Sequence, residues 1–410
     1  MAIPSTGMYK KVSFLQETSW GVLPGPAGSQ YLRRASSTLG TEAQFFKSNE
    51  INFDRQLRDN RKGQKLVKGD ISGELSPGTW EGFLLAMLAA PSAGAAASIT
   101  SGAITAVAGP PGQFTVASGF LAAGFKVGDI VRCTGWTTTA TANNARNYRI
   151  TALTDSAMTV GSTVTGTGAE AVVAKAAGDN VTIALVGKKI VTPQTSLADS
   201  SFAIEHWYSD NALSEVFLGC KPTQMTISVP STAIATVKTS FIGKDIQTGT
   251  SQVLTTPNAL TSSGLLAGVN GSLMVAGSDF ATITGLTINI NGNHATESVV
   301  GSQTTPGIFP GRLEISGSVT ALFADTVFRD QFINETDYVD LHAKLVTNNN
   351  VNADFISFNI PRLKMTSASK DDKPNAILGT YNFQAALNLN GGTGANTDLT
   401  TMSVQDSLFT

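Results

Sequence analysis

The chain has 410 residues, which predicts two or three domains and leaves room for a sizeable core. Hydrophobic residues make up 41% of it and charged residues only 14%, with a net charge of −2, so no global field attracts nucleic acid or anionic lipid. The two cysteines, Cys133 and Cys220, make neither a disulfide framework nor a zinc cluster. The composition excludes a sequence-reading DNA binder and favours a turn-rich β protein from a reducing compartment.

Targeting and membrane signals are not expected in this chain. Residues 1–7 contain no apolar run of the kind that a secretory signal needs. The longest apolar run, residues 83–90, is too short to cross about 30 Å of hydrocarbon. We therefore expect a soluble chain that is not exported and has no membrane partner.

In chain order, the first clear element is a helix, predicted over residues 80–88 by helical spacing of apolar residues after a Ser-Pro-Gly-Thr start signal. Alternation of apolar and polar residues then predicts strands, as at residues 225–229 and 286–290. A second helix is predicted over residues 322–332. Asn-Gly pairs, which suit type I′ hairpin turns, occur at residues 270–271, 291–292 and 390–391.

An internal repeat is the most informative pattern. The segment around Ile71, which leads into the first helix, recurs around Ile315 before the second helix, at an offset of 244 residues. Further on, Phe217 and Met225 align with Phe355 and Leu363 at an offset of 138 residues. The two offsets differ by 106 residues, which predicts an insertion of that length between the helix and the next strand in the first copy alone.

Composition places that extra material at residues 92–197, which are rich in Ala, Gly and Thr and begin and end in flexible-looking segments. Strand-like stretches inside it predict a small inserted β domain, which a surface connection could tolerate. The predicted organisation is therefore a first domain of residues 1–91 and 198–255, the inserted domain of residues 92–197, and a second domain of residues 256–410.

No catalytic, phosphate-binding or metal-binding motif emerges from the sequence. His206, His294 and His342 lie in or beside strand-like stretches, without a carboxylate or cysteine at metal-ligand spacing. They are interpreted as strand or turn histidines. The Gly-Lys segments lack the spaced glycines and the following Ser or Thr of a phosphate loop. We expect no enzyme activity and no cofactor or metal.

One charged stretch stands out, between a strand-like segment at residues 50–53 and the strand before the first helix. It is interpreted as a long polar loop that is either solvated or reaches a neighbouring subunit, with a nucleic-acid contact less favoured because no aromatic residue is interleaved for stacking. The candidate inter-subunit loop carries six cations: Arg55, Arg58, Arg61, Lys62, Lys65 and Lys68.

An ordered series of segments resembles a known family, the major tail tube proteins of bacteriophages with long, non-contractile tails (siphophage type). The resemblance covers about residues 9–91 and 198–255, and the C-terminal half matches through the internal repeat. The segments that carry it are Glu17-Thr18-Ser19-Trp20-Gly21, Ser48-Asn49-Glu50-Ile51, Asp54-Arg55-Gln56, residues 69–88, Ser201-Phe202-Ala203-Ile204-Glu205, Phe217-Leu218-Gly219-Cys220 and Ser240-Phe241-Ile242-Gly243-Lys244-Asp245.

The resemblance implies a mainly β fold: two similar β-sandwich or partial-barrel tube domains, each with a flanking helix, beside the inserted β domain. It implies rings stacked into a hollow tube that conducts double-stranded genome DNA, located in the virion tail and assembled in the bacterial host cytoplasm. Tape measure, distal tail and terminator proteins are the expected partners. Six units per ring are usual, so a duplicated chain suggests trimeric, pseudo-hexameric rings, with hexameric rings as the alternative.

Two other classes of function stay open at this point. A carbohydrate-binding or adhesive β-rich appendage or tail-fibre protein would also be rich in Gly and Thr and dominated by strands. A hydrolase on a β scaffold is the enzyme alternative, but the sequence offers no paired-carboxylate motif for it.

Overall fold

Antiparallel strands dominate the protein, as the alternating sequence pattern predicts. The computed structural model describes the chain except residues 1–3, 52, 55, 110, 162–171, 276–277, 280–281, 324–326, 334–338, 372–375 and 410. The helices are α1 (Glu81–Met87) and α2 (Val327–Ile333), with 3₁₀ turns at Thr138–Asn143 and Gly268–Asn270. Both α-helices fall where the sequence predicts them. The mainly β fold class is thus confirmed.

The strands are numbered in chain order. Those before α1 are β1 (Lys10–Gln16), β2 (Gln30–Tyr31), β3 (Ser36–Ser37), β4 (Gly40–Lys47) and β5 (Asn60–Glu74). The next seven are β6 (Ser98–Ser101), β7 (Thr105–Val107), β8 (Gly112–Thr115), β9 (Ile130–Thr134), β10 (Tyr148–Leu153), β11 (Ala157–Gly161) and β12 (Val181–Leu185). Those up to α2 are β13 (Lys188–Val191), β14 (Phe202–Tyr208), β15 (Leu213–Pro230), β16 (Thr236–Gly243), β17 (Asp245–Gly249), β18 (Gly271–Val275), β19 (Ser278–Asp279), β20 (Ile283–Asn291), β21 (Ala295–Thr296), β22 (Ile308–Phe309) and β23 (Glu314–Leu322). The last four are β24 (Val339–Val346), β25 (Phe355–Lys370), β26 (Leu378–Ala385) and β27 (Ser403–Asp406).

In the described part of the chain, 18 strands form one large sheet. Two runs of strand pairing within it follow the same order. The first runs β4, β5, β16, β15, β14, β1, with β3 beside β4 on the same edge of β5. The second runs β20, β23, β26, β25, β24, β18. We call these runs unit 1 and unit 2. The register agrees with the sequence offsets, because Met225 faces Thr239 in unit 1 as Leu363 faces Ala385 in unit 2.

The helices also occupy matching places. Helix α1 packs against β15, and α2 packs against β25, the strand at the same position in the pairing order. Helix α1 forms where apolar residues recur at helical spacing, and the side chains at this spacing are buried: Trp80, Phe83, Leu84 and Met87. Residues of both units belong to one continuous hydrophobic core.

Strands β6 to β12 form a separate seven-stranded sheet in the order β6, β12, β9, β10, β11, β8, β7. Their core is a distinct cluster that includes Phe114, Tyr148 and Ile183. We call residues 98–185 the insert. Strand β13, which lies inside the predicted inserted domain of residues 92–197, pairs with β27 of the large sheet instead. The division into three domains stays a prediction.

The hairpin turns predicted at the three Asn-Gly pairs are wrong. Residues with positive φ include Asn293 and Gly392, but neither member of any of these pairs. A type I′ turn needs positive φ at both central residues. Asn270 instead closes a 3₁₀ turn and Gly271 begins β18, which shows that the long-range pairing of β18 with β24 overrides the local turn preference.

Candidate subunit interfaces

A long β-hairpin replaces the loop that the sequence suggests around the six cations. Strand β4 pairs with β5 from Gly40 opposite Lys68 to Lys47 opposite Asn60. Arg61, Lys62, Lys65 and Lys68 therefore lie on β5, and the connection spans residues 48–59. The strand was missed because most side chains on both faces of this part of the hairpin are in contact with solvent, so no apolar alternation marks it.

Most cations of the candidate loop already have partners within the chain. Arg58 pairs with Asp54 at 2.8 Å and Arg61 with Asp59 at 2.7 Å, both on the surface. Lys65 reaches Asp245 at 2.6 Å and Lys68 lies 3.6 Å from Glu42. Such exposed pairs contribute little to stability. Arg55 lies outside the described residues.

The end of the hairpin exposes apolar side chains beside these cations. Phe53 and Ile51 are fully exposed, at 110% and 98%. Phe45 and Phe46 are more than half exposed and stand opposite Lys62 and Arg61 across the hairpin. Aromatic residues are thus interleaved with the cations in space, although they are distant in sequence. Exposed apolar groups gathered in this way are typical of an interaction site.

Units 1 and 2 join edge to edge through strands β15 and β20. The two strands pair in antiparallel fashion from Gln224 opposite Asn291 to Pro230 opposite Gly285. The pairing is reinforced by Thr226, whose hydroxyl donates to Oδ1 of Asn289 at 2.9 Å. The result is one sheet that runs β4, β5, β16, β15, β20, β23, β26, β25 across both units.

The two ends of this continuous sheet are open in the described part of the chain. At one end β3 and β4 pair with β5 alone, and at the other the second half of β25 pairs with β26 alone. Beside β3 lies a cavity of about 650 Å³ lined partly by four cations, Lys10, Lys11, Arg33 and Arg34. Burial, and next the charge of Arg34, lower the pKa of Lys10 to about 8. Open strand edges invite pairing with another chain.

The insert follows α1 in sequence but is anchored to unit 2 by buried polar groups. Lys189 pairs with Asp129 of the insert and with Asp398, both at 2.8 Å. The amide of Gln405 on β27 accepts from the backbone N–H of Ile130 and donates to its carbonyl. Desolvation, and the charge of Asp398, raise the pKa of Asp129 to about 6, against the opposing effect of Lys189. The insert is therefore fastened to β27, which pairs with β13 and with β25 of unit 2.

Two of the three histidines and both cysteines are buried. His206 and His342 are buried on strands, and burial lowers the pKa of both, that of His206 to about 3. Both thiols are buried, and desolvation raises the pKa of Cys133 to about 12. Among the described residues no His, Cys, Asp and Glu groups are arranged to hold a metal ion. No described helix is both long and apolar enough to cross a membrane.

Comparison with known proteins identifies one family. A family model described as phage tail tube protein matches residues 10–385, nearly the whole chain. No curated protein matches the sequence. Among solved structures, a chain from the cryo-EM structure of the anti-feeding prophage baseplate is similar at 12% identity, with a TM-score of 0.22, over 32% of this chain and 91% of that one.

Proposed function

Because the chain belongs to the phage tail tube protein family and is a structural component of a phage tail, we propose that it builds the tube from rings of three chains joined edge to edge. The two units are duplicated tube domains, and each ring contains six of them. Stacked rings form the conduit through which genome DNA leaves for the host. The single observation that carries this proposal is the β15–β20 junction, which joins two units within one chain.

The internal junction gives the register expected between chains. Strand β25 occupies the place of β15 in its unit, and Lys364 corresponds to Thr226 at the offset of 138 residues. Ser72 corresponds to Ser316 at the offset of 244 residues. Ser36 faces Ser72 and Asn289 faces Ser316, so Ser36 corresponds to Asn289. Because Thr226 faces Asn289 within the chain, Lys364 of one chain is expected to face Ser36 of the next. The incoming β25 would also cover the cavity beside β3.

Ring closure satisfies the open backbone groups at both ends of the sheet. A closed ring of sheets has no unpaired edge, whereas a lone chain leaves both ends available for uncontrolled pairing. Closed rings are also the usual form of self-assembly when the same contact repeats around an axis. Two units per chain halve the number of chains, from six to three.

The hairpin β4–β5 is the candidate contact with another copy of the chain in an adjacent subunit or ring. Its apolar end is formed by four exposed side chains, Phe45, Phe46, Ile51 and Phe53, whose burial against another surface would be favourable. The neighbouring cations could pair with acidic groups on that surface. Tape measure, distal tail and terminator proteins are the expected partners, and assembly in the host cytoplasm is part of the same proposal.

Cysteine cross-linking measures both the register and the number of chains. In the double variant Ser36→Cys/Lys364→Cys, directly facing residues would bring Cα atoms to about 4.5–5.5 Å, within disulfide range. Mild oxidation of assembled tubes should give a ladder on a non-reducing gel that ends at the trimer. Ser118→Cys/Lys364→Cys, with one thiol on the exposed surface of the insert, is the matched control and should give none.

Each outcome of this experiment is decisive. A ladder that extends to six chains would establish hexameric rings and reject the trimer. Tubes that form without Ser36–Lys364 cross-links would reject edge-to-edge joining in this register. Absence of tubes in electron micrographs of the unaltered purified protein would count against the tube function itself.

A further inference from the structure

The cavity beside β3 collects positive charge from two separate parts of the chain. Two of its cations come from the start of β1 and two from the segment between β2 and β3: Lys10, Lys11, Arg33 and Arg34. Strand β1 pairs with β2, and a backbone hydrogen bond of 2.9 Å joins the residue before Arg33 to β1, which brings the two dipeptides side by side. We call this space, about 650 Å³ in volume, the cation cavity.

The positive charge of the cation cavity exceeds the negative charge of its lining. Glu74 is the acidic residue of the lining, against four cations. The ion pairs among the described residues involve other cations. Uncharged groups hold the cations of the cavity instead, since Lys10 donates to the carbonyl of Ser37 at 3.2 Å and Arg33 to that of Ser263 at 2.8 Å. Carbonyl oxygens orient these side chains but do not neutralise them.

Crowding of like charges in a partly buried space disfavours the charged forms. Burial, and next the charge of Arg34, lower the pKa of Lys10 to about 8, and burial lowers the pKa of Arg34 itself. An opposite charge within a few ångströms would favour the charged forms of both groups. The empty cavity is therefore electrostatically unfavourable in a way that a bound anion would relieve.

We propose that the cation cavity binds a small multivalent anion of the phosphate class, and that this anion stays bound when a second chain covers the cavity. The site does not depend on the proposed ring, and only its enclosure rests on that proposed function. The volume lies within the range of ligand sites, about 300–1,000 Å³. Arginine forks match phosphate oxygens, and lysines add point charges. Each guanidinium has five N–H donors, so the bond from Arg33 to Ser263 leaves others for the anion.

The strand that would cover the cavity in the proposed ring brings no carboxylate with it. Strand β25 (Phe355–Lys370) contains no acidic residue, and its second half carries Lys364 and Lys370. Covering the cavity also excludes water, which strengthens every charge interaction inside it. The balancing negative charge is therefore an anion taken up from solution rather than a group on the covering strand.

Calorimetric titration of the unassembled protein with pyrophosphate tests the site. We expect saturable binding of one pyrophosphate per chain and a rise of the unfolding midpoint, because a ligand of the folded state stabilises it. Arg33→Gln/Arg34→Gln should weaken binding about tenfold or more, since each guanidinium donates charge-assisted hydrogen bonds. Arg58→Gln/Arg61→Gln, which removes the same charge from the hairpin, is the matched control and should bind as the unaltered protein does.

Three results would overturn the site. They are the absence of saturable binding, equal weakening in the two double variants, and an equal rise of the unfolding midpoint in NaCl at the same ionic strength, which would indicate general screening. Circular dichroism checks that the variants fold. Lys11→Gln, which changes one exposed side chain, keeps the test valid if the arginine variant does not fold. It should weaken binding severalfold, and unchanged affinity would likewise overturn the site.

Assembled tubes test the enclosure. Tubes formed in radiolabelled pyrophosphate and then washed should retain about one label per chain, because the covering strand excludes solvent from the cavity. Release of the label on assembly would show that the neighbouring chain fills the cavity, and it would overturn the enclosure. Failure to form tubes in the electron microscope would reject the ring instead, while the titration of unassembled protein still decides the site.

Discussion

Replacing Lys189 by Met should destabilise the protein by leaving a buried carboxylate without its cation. Lys189 has 6% of its side chain exposed and lies 2.8 Å from both Asp129 and Asp398. Asp398 is nearer the surface, with 11% exposed, and can turn towards water, but Asp129 is 2% exposed. Removing one partner of a buried pair costs about 3–5 kcal/mol.

The cost has an upper limit because Asp129 can take up a proton. Relative to an unfolded pKa of about 3.9, protonation costs about 4 kcal/mol at pH 7 and about 1.5 kcal/mol at pH 5. The wild-type pKa of about 6 already exceeds the unfolded value, so stability from this carboxyl is lost as the pH rises, and losing Lys189 steepens that loss. The wild type therefore already carries about 2.8 kcal/mol of this cost at pH 7 and nearly all of it at pH 5. The further loss that Lys189→Met causes through Asp129 is limited to about 1.4 kcal/mol at pH 7 and to almost nothing at pH 5.

Equilibrium unfolding in urea, followed by tryptophan fluorescence at pH 5 and pH 7, measures both values. Lys188→Met is the matched control, because Lys188 lies over the Phe409 ring on a partly exposed site and should change stability by less than about 1 kcal/mol. The double variant Lys189→Met/Asp129→Asn should recover much of the loss, since a neutral pair needs no counter-charge. No loss at pH 7, or equal losses at both pH values, would refute this account.

Three further predictions concern the hairpin and Asp406. Phe53→Ser should leave monomer unfolding unchanged, because this side chain is fully exposed, while tube yield falls at least severalfold in sedimentation assays; normal yield would rule out docking through the apolar end. The reversal Arg58→Glu/Arg61→Glu/Lys65→Glu should shift the unfolding midpoint by no more than a few degrees and sharply reduce polymerisation. Arg58→Glu/Arg61→Glu is the control, because it leaves the Lys65–Asp245 ion pair intact. Normal tubes would exclude a docking role for these cations. Desolvation raises the pKa of buried Asp406 to about 7, so its contribution should be lost between about pH 4 and pH 7, by about 4 kcal/mol in total, and a pH-stability curve that is unchanged in Asp406→Asn would contradict this.

The sequence predicts the elements that depend on local periodicity. Met225, Ile227 and Val229 alternate with polar residues, and all three are buried as expected. Both helices could be predicted because their apolar residues recur at helical spacing. The paired offsets are also compatible with the strand order, in which β5 and β23 hold equivalent places in units 1 and 2, as do β15 and β25. The duplication itself stays a prediction.

The hairpin and the insert's contacts could not be predicted in this way. Strand β5 begins at Asn60 with exposed residues, so nothing in its alternation separates it from a polar loop. The contacts of Gln405 with Ile130 join residues that are far apart in sequence and carry no motif. Phe45 and Arg61 are likewise separated in the chain, and only the register of the hairpin reveals that aromatic and cationic side chains are near neighbours.

Deleting residues 98–184 should give a folded but less stable protein that still forms tubes. The ends of the insert are held together, because the N–H of Leu185 donates to the carbonyl of Ala97 at 2.8 Å, and so the cut ends can be joined by a short Gly-Ser link. The deletion removes Ile130 from its cluster with Phe355 and takes Asp129 from Lys189, which keeps Asp398. Losing the buried side chain of Ile130, and the hydrogen bonds between its backbone and Gln405, should lower the free energy of unfolding by a few kcal/mol. Thermal unfolding and electron microscopy below the lowered midpoint measure the result, with the unaltered chain as reference. A protein with no cooperative transition would mean that the insert is required for the fold, whereas stable protein without tubes would place the insert in the assembly contacts.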